Sequence, residues 1–220
     1  MTDETPGPVL ADRLEHPEGT SERLIEQIRF LMEADQLKTV LRRSHLIAAD
    51  RRENDAEHSW HLALMALVLA EYADEPVDVG RVLALVVVHE LVEIYAGDTF
   101  LYDAEARVDQ AEREQRAAER LFGLLPADQT ERFRALWDEF EARVTAEAKF
   151  AKAMDSLEPL LLNFHTQGTS TWTDPQVTAE LVRARKSGIG DASDVLGAYS
   201  EALLDHAVDQ GWLRTQPPTG

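Results

Sequence analysis

The segment Val82-Leu83-Ala84-Leu85-Val86-Val87-Val88 runs apolar without interruption and then meets His89-Glu90. A run this apolar belongs to a buried element. Burying an imidazole beside a carboxylate without partners is costly, so such groups persist when they are paired or hold a metal. The pair therefore sets two requirements. The chain must build a core around Val82 to Val88, and it must bring further polar groups to the point where that run ends.

The chain contains no cysteine, so disulfides and thiolate metal sites are excluded and any metal must be held by His nitrogen and carboxylate oxygen. The net charge of −19 argues against docking on a nucleic-acid polymer, which needs clustered cations. It leaves room for a small anionic substrate if a metal and a few arginines reverse the field locally. The acidic start Met1-Thr2-Asp3-Glu4 lacks the apolar core of a signal peptide, and no apolar run reaches the ~18 residues of a membrane span. A cytoplasmic protein without membrane partners is expected.

Between a loose arm (1–18, with Pro6, Pro8 and Pro17) and a tail (216–220), the pattern is helical and almost nothing alternates as a strand would. Thr20 or Ser21 can cap a helix carrying Leu24, Ile25, Ile28, Leu31 and Met32. A less regular piece, 37–52, holds Arg42, Arg43, Arg51 and Arg52. Asn54 with Glu57 forms a capping-box start for a helix to about Tyr72. Asp78 opens the next helix, which Gly97 ends. Further helices are predicted over 103–122, from Pro126, from Ala146 to about Phe164, from Asp174-Pro175, and over about 191–212. The fold class expected is all-α, one helical bundle over 19–215.

Seven histidines are present. His16 and His206 lie in polar or terminal surroundings, and His165 suits a helix end. His61 could be a ligand or core. His58, in the first turn of its helix, and His89 are the ligand candidates. Glu90 adds a carboxylate, and Glu93 falls one turn after His89. Asp155 lies on an otherwise apolar helix face; its simplest role is an intrahelical pair with Lys152. With His58, His89 and Glu90 it completes four N/O ligands from three helices, which suits one divalent ion such as Mn, Fe, Co, Zn or Mg. His89-Glu90-Leu91-Val92-Glu93 is a near-match to the HExxH of zinc peptidases, but its fifth position is Glu93, which removes the second histidine ligand.

Three stretches carry a resemblance: Glu57-His58-Ser59, His89-Glu90-Leu91-Val92-Glu93-Ile94-Tyr95-Ala96-Gly97-Asp98, and Glu147-Ala148-Lys149-Phe150 leading to Asp155. In this order and spacing the chain resembles the HD-domain metal-dependent phosphohydrolases, within them the all-helical 5′-deoxynucleotidase-like branch, over roughly 37–165. The resemblance implies metal ligands His58, His89, Glu90 and Asp155, catalytic carboxylates Glu93 and Asp98, and substrate contacts at Arg42, its neighbour Arg43, and Ser59. It further implies a homodimer. The family's Asp is Glu90 here, one methylene longer. The Trp of the nucleotidase relatives is missing from Arg42-Arg43-Ser44-His45-Leu46.

The activity implied is hydrolysis of a (deoxy)nucleoside 5′-monophosphate to nucleoside and phosphate. Two alternatives stand beside it. One is a phosphohydrolase of another nucleotide or phosphorylated metabolite, although a longer phosphate chain needs more cations than the sequence visibly gathers. The other is a catalytically weak scaffold that binds nucleotide or metal.

Overall fold

The computed structural model describes residues 15–103 and 105–216. Most of the expected arm (1–14) and of the tail (217–220) lies outside the described residues. The architecture is all-α, as expected, with nine α-helices and one two-stranded sheet among the described residues. No helix there is long and apolar enough to cross a membrane.

Helix α1 (Glu22–Ala34) starts at Ser21, whose hydroxyl accepts from the Leu24 N–H. It leads through a 3-10 turn into β1 (Leu41–His45), which pairs antiparallel with β2 (Arg52–Asn54). The sheet corrects the expectation that 37–52 is merely irregular. It is too short, and its register too irregular, to leave an alternating apolar pattern. Its pleat still acts: Arg42 and Ser44 turn inward while Leu41 and Arg43 face out.

Helix α2 (Asp55–Leu69) follows β2 directly. The capping box forms: the Asn54 side chain accepts from the Glu57 N–H, and the Glu57 carboxylate accepts from the Asn54 N–H. This fixes the first turn of α2, and with it His58. Asp78 caps α3 (Val79–Val88). The expected continuous helix to Gly97 is broken: His89–Val92 is a 3-10 turn, and α4 is only Glu93–Ala96. Gly97 ends α4 at φ 77°, a conformation that a Cβ-bearing residue would adopt at a cost.

Residues 105–109 form a turn and a bend rather than helix, and α5 is Gln110–Phe122. Helix α6 (Ala127–Ala142) begins after Pro126, and α7 (Ala146–His165) after Thr145, whose hydroxyl accepts from the Ala148 N–H. Asp174-Pro175 does not open a helix. Thr178 caps α8 (Ala179–Lys186) instead, and Ser193 caps α9 (Asp194–Asp209).

Helix α7 is the axis of the molecule, packed by α2, α3 and α6 and flanked by α8 and α9. Phe150, Met154, Leu157 and Leu160 line it and are fully buried. They meet Leu62, Leu85, Phe122 and Phe140 in one continuous core. Pro159 lies inside α7 and removes the N–H that would reach the Asp155 carbonyl. The run Val82 to Val88 is the α3 contribution to this core, although Val87 alone stays half exposed.

Candidate functional site

Three elements bring the first group of side chains together. Helix α2 supplies His58, the 3-10 turn after α3 supplies His89 and Glu90, and α7 supplies Asp155. One donor atom from each lies within 4.8 Å of the others. His58 Nε2 is 3.0 Å from Asp155 Oδ1 and 3.5 Å from Glu90 Oε1. His89 Nε2 is 3.2 Å from Glu90 Oε1 and 3.9 Å from Asp155 Oδ1. Consecutive residues of a 3-10 turn diverge by about 120°, so a point reached by both His89 and Glu90 must lie between their directions. The longer arm of glutamate spans that distance.

Both imidazoles are held from behind. His89 Nδ1 lies 2.8 Å from the Val86 carbonyl oxygen, which can only accept, so Nδ1 donates and the Nε2 lone pair faces the cluster. His58 Nδ1 lies 3.2 Å from Glu158 Oε2, and the other oxygen of Glu158 is 3.1 Å from His61 Nδ1. His61 therefore supports His58 through Glu158 and stands outside the first group. Asp155 keeps its helix partner as well: Lys152 Nζ is 2.6 Å from Oδ2, which leaves Oδ1 for the cluster.

The donor set fits a divalent cation. It is two imidazole nitrogens and two carboxylate oxygens, and the buried His89 Nε2 has no hydrogen bond of acceptable geometry. The local potential also calls for positive charge. Burial disfavours the imidazolium, yet Asp155 and Glu158 raise His58 to about 10, and Glu90 and Asp155 raise His89 to about 9. Burial would lift Glu90, but His89 and Arg42 hold it below the usual carboxylate range.

Strand β1 turns the two neighbouring arginines in opposite directions. Arg42 points inward at 13% exposure, with Nη1 2.5 Å from Glu90 Oε1 and Nε 3.4 Å from Glu53 Oε2. Arg43 is 52% exposed and lies over the Phe100 ring at 4.5 Å. Glu93 is buried, and its Oε2 has no hydrogen-bond partner. Burial, then the charges of Glu90 and Glu114, raise it well above the ordinary carboxylate range. Asp98 is raised too, mainly by burial.

These groups open onto a cavity of about 900 Å³ lined by His89, Glu90, Glu93, Asp98, Arg42 and Arg43 among others. Ser59 is not brought there. It is buried in α2, away from the lining, with its hydroxyl unpartnered. A longer phosphate chain was expected to lack cations; the lining holds eight of the chain's 22 Lys and Arg residues beside seven carboxylates.

Several site residues escaped the sequence reading. Asp55 and Glu53 flank Arg42, each raised to about 8, chiefly by burial. Glu158 carried a usable signal, because it lies one turn after Asp155 on the same helix face. Lys186, at the end of α8, is buried against the cavity, and burial lowers it to about 8. Nothing in its local sequence marks it.

Similarity to known proteins shows the family. A family model for the HD domain matches residues 34–194. The chain is similar to the 5′-deoxynucleotidase HDDC2 of Bos taurus, 34% identical over 135 residues, which is 61% of this chain and 64% of that protein. It thus spans less than two thirds of that relative's length. The 5′-deoxynucleotidase hdd1 of Schizosaccharomyces pombe is 24% identical over 191 residues, covering 84% of this chain and 86% of that protein. Among solved structures, the predicted metal-dependent phosphohydrolase of Magnetospirillum magnetotacticum MS-1 superposes with a TM-score of 0.83 at 53% identity, covering 87% of this chain and 96% of that one. The chain belongs to the HD-domain family.

Proposed function

We propose that the protein is a metal-dependent phosphomonoesterase acting on (deoxy)nucleoside 5′-monophosphates. The observation that carries this reading is the convergence of His58, His89, Glu90 and Asp155 within 4.8 Å, with the last three on the wall of a cavity that also gathers eight Lys and Arg side chains. The 5′-deoxynucleotidase names of its relatives and the phosphohydrolase name of its structural neighbour support the same chemistry.

His58, His89, Glu90 and Asp155 would hold one divalent ion, and their two imidazoles favour Mn, Fe, Co or Zn over Mg. When bound, such an ion supplies Lewis acidity to a phosphoryl oxygen and acidity to water. The remaining work falls to the chain. Arg42 holds phosphate oxygens and offsets the charge that builds on them. With a cation held beside it to offset the burial and the Glu90 and Glu114 charges that raise it, Glu93 would be ionised and take the proton of the attacking water. Asp98, raised by burial, gives a proton to the leaving sugar oxygen. Phe100, Tyr102 and Trp172 line the cavity where a base or sugar would lie. Ser59 has no place in this scheme except behind His58.

The test is phosphate release from ribo- and deoxynucleoside 5′-monophosphates by metal-stripped protein refilled with Mn, Co, Fe, Zn or Mg. His89→Ala protein runs beside it. Metal-dependent release that the variant lacks is the expected result. Release that the variant retains, or none with any metal from folded protein that binds metal, overturns the reading.

We also infer a homodimer. Trp60, Leu64, Leu67 and Val68 form a stripe at helical spacing on α2, exposed at 66%, 43%, 58% and 60%, and Val87 of the adjacent α3 extends it. Sedimentation should give twice the chain mass, falling to one chain in Trp60→Glu; a monomeric wild type refutes it.

A further inference from the structure

The cavity wall departs sharply from the charge balance of the chain. The chain carries 22 basic and 41 acidic residues, but the lining carries eight basic and seven acidic ones. Arg42 and Lys152 are accounted for by Glu90 and Asp155. A separate group, Arg107, Arg143 and Arg185, is not.

Among the described residues, no carboxylate lies within ion-pairing distance of Arg143 or Arg185. The contrast along α8 is direct. Arg183 pairs with Glu201 and Asp205 on α9, whereas Arg185, two residues on, lines the cavity unpaired. Arg107 donates only to neutral acceptors, the Leu101 carbonyl and the Gln110 side chain. The three guanidinium groups come from three separate segments and are close enough that Arg185 and Arg143 both disfavour charge on Arg107, after burial. Arg143 ends α6 in the left-handed region at φ 54°, where glycine would be less strained. Lys186, beside Arg185, lines the same wall.

Gathering three guanidinium groups without a direct ion pair, with Glu114 the one carboxylate whose charge favours Arg107, costs free energy that an anionic ligand would recover. The metal cluster already accounts for one phosphate. We propose that Arg107, Arg143 and Arg185 form a second anion subsite in the same cavity, and that the preferred substrate carries a second anionic group, a phosphate, on the alcohol that leaves. This rests on the phosphomonoesterase reading for the first phosphate only. Hydrolysis is unchanged in balance: water and the phosphomonoester give inorganic phosphate and an alcohol that still bears its second phosphate. A volume of about 900 Å³ lies at the roomy end of small-molecule sites and leaves space beyond a single phosphate.

The experiment compares 2′-deoxyadenosine 5′-monophosphate with 2′-deoxyadenosine 3′,5′-bisphosphate on the full metal-loaded chain. KM is read from release of the 5′ phosphate, and Kd from calorimetry. The bisphosphate should show KM and Kd lower by about tenfold or more, as expected for charge-assisted contacts. In the double variant Arg143→Gly, Arg185→Ala the ratio of the two ligands should fall toward one. Glycine suits the backbone at position 143, and Arg185 has no ion pair to lose, so the variant should remain folded, which its circular dichroism checks. Equal KM and Kd for the two ligands, or a preference that survives the double variant, overturns the subsite. Absence of turnover for both ligands would overturn the phosphomonoesterase reading alone, because the calorimetric ratio still decides the subsite.

Discussion

Arg42 and Glu90 meet at 2.5 Å between Nη1 and Oε1, and the same Glu90 oxygen faces both imidazoles of the cluster. One carboxylate atom thus joins the cationic wall of the cavity to the ligand group. Glu90 makes these contacts from a position next to His89, with a side chain one methylene longer than the Asp the family resemblance implies. Glu90→Asp withdraws the oxygen from both sides at once. Its kcat/KM should fall about tenfold or more, and metal affinity should weaken with it. A gain in rate in that variant would instead mark the natural residue as a defect of the site.

Glu158 holds His58 Nδ1 at 3.2 Å and thereby aims Nε2 at the cluster. In Glu158→Gln the amide can present its NH2 to His58, and the fixed tautomer is lost. Metal affinity, read by titration with a colorimetric chelator, should drop by roughly 10–100-fold while the helical content is retained. His61→Ala removes only the outer support of Glu158 and should cost less. Equal losses in the two variants would place His61 in the ligand set.

Glu93→Gln keeps the size of the side chain and abolishes proton transfer. Turnover should fall by about 10²–10⁴-fold with metal affinity little changed, because Glu93 lies outside the first ligand group. Loss of metal binding in parallel with turnover would reassign Glu93 as a ligand.

Lys186 is a charge held inside the fold at a cost, since burial lowers it to about 8. The sign follows from proton linkage. The folded protein releases this proton near pH 8 and the unfolded chain near 10.5, so the group penalises folding below pH 8 and the penalty is relieved as pH rises from 8 to 10.5. Lys186→Met should therefore raise the Tm at pH 7, while KM for the phosphate substrate rises. Its Tm should also lose the part of the upward trend above pH 8 that the wild type shows. An unchanged Tm at pH 7 would refute the assignment.

Much of the site was legible because its residues sit at places where local chemistry signals them. His58 follows a capping box that fixes the start of α2, and His89-Glu90 interrupts an apolar run. Asp155 was harder to read, since its Lys152 pair is real and yet does not exclude a role in the cluster. What failed to show in the sequence depends on long-range packing. The strands of the sheet that turns Arg42 inward are only a few residues long, and their irregular register leaves no apolar alternation to read. The break at His89–Val92 lies in a segment whose periodicity is helical throughout. Arg185 and Lys186 are an ordinary basic helix end in the sequence; only the fold places them in the lining of the cavity that Asp155 also lines.

The inward turn of so many cations changes how a substrate must arrive. The outer surface of a chain with net charge −19 repels an approaching anion, and the attraction begins only within the cavity. At about 0.15 M salt the Debye length is ~8 Å, so the outer field is damped while the interior is shielded much less. Encounter should therefore speed up as salt is first added and slow down again only when it reaches the cavity, the reverse of electrostatic steering. Raising the ionic strength should then change the rate of capture more than the proposed chemistry at His58 and His89.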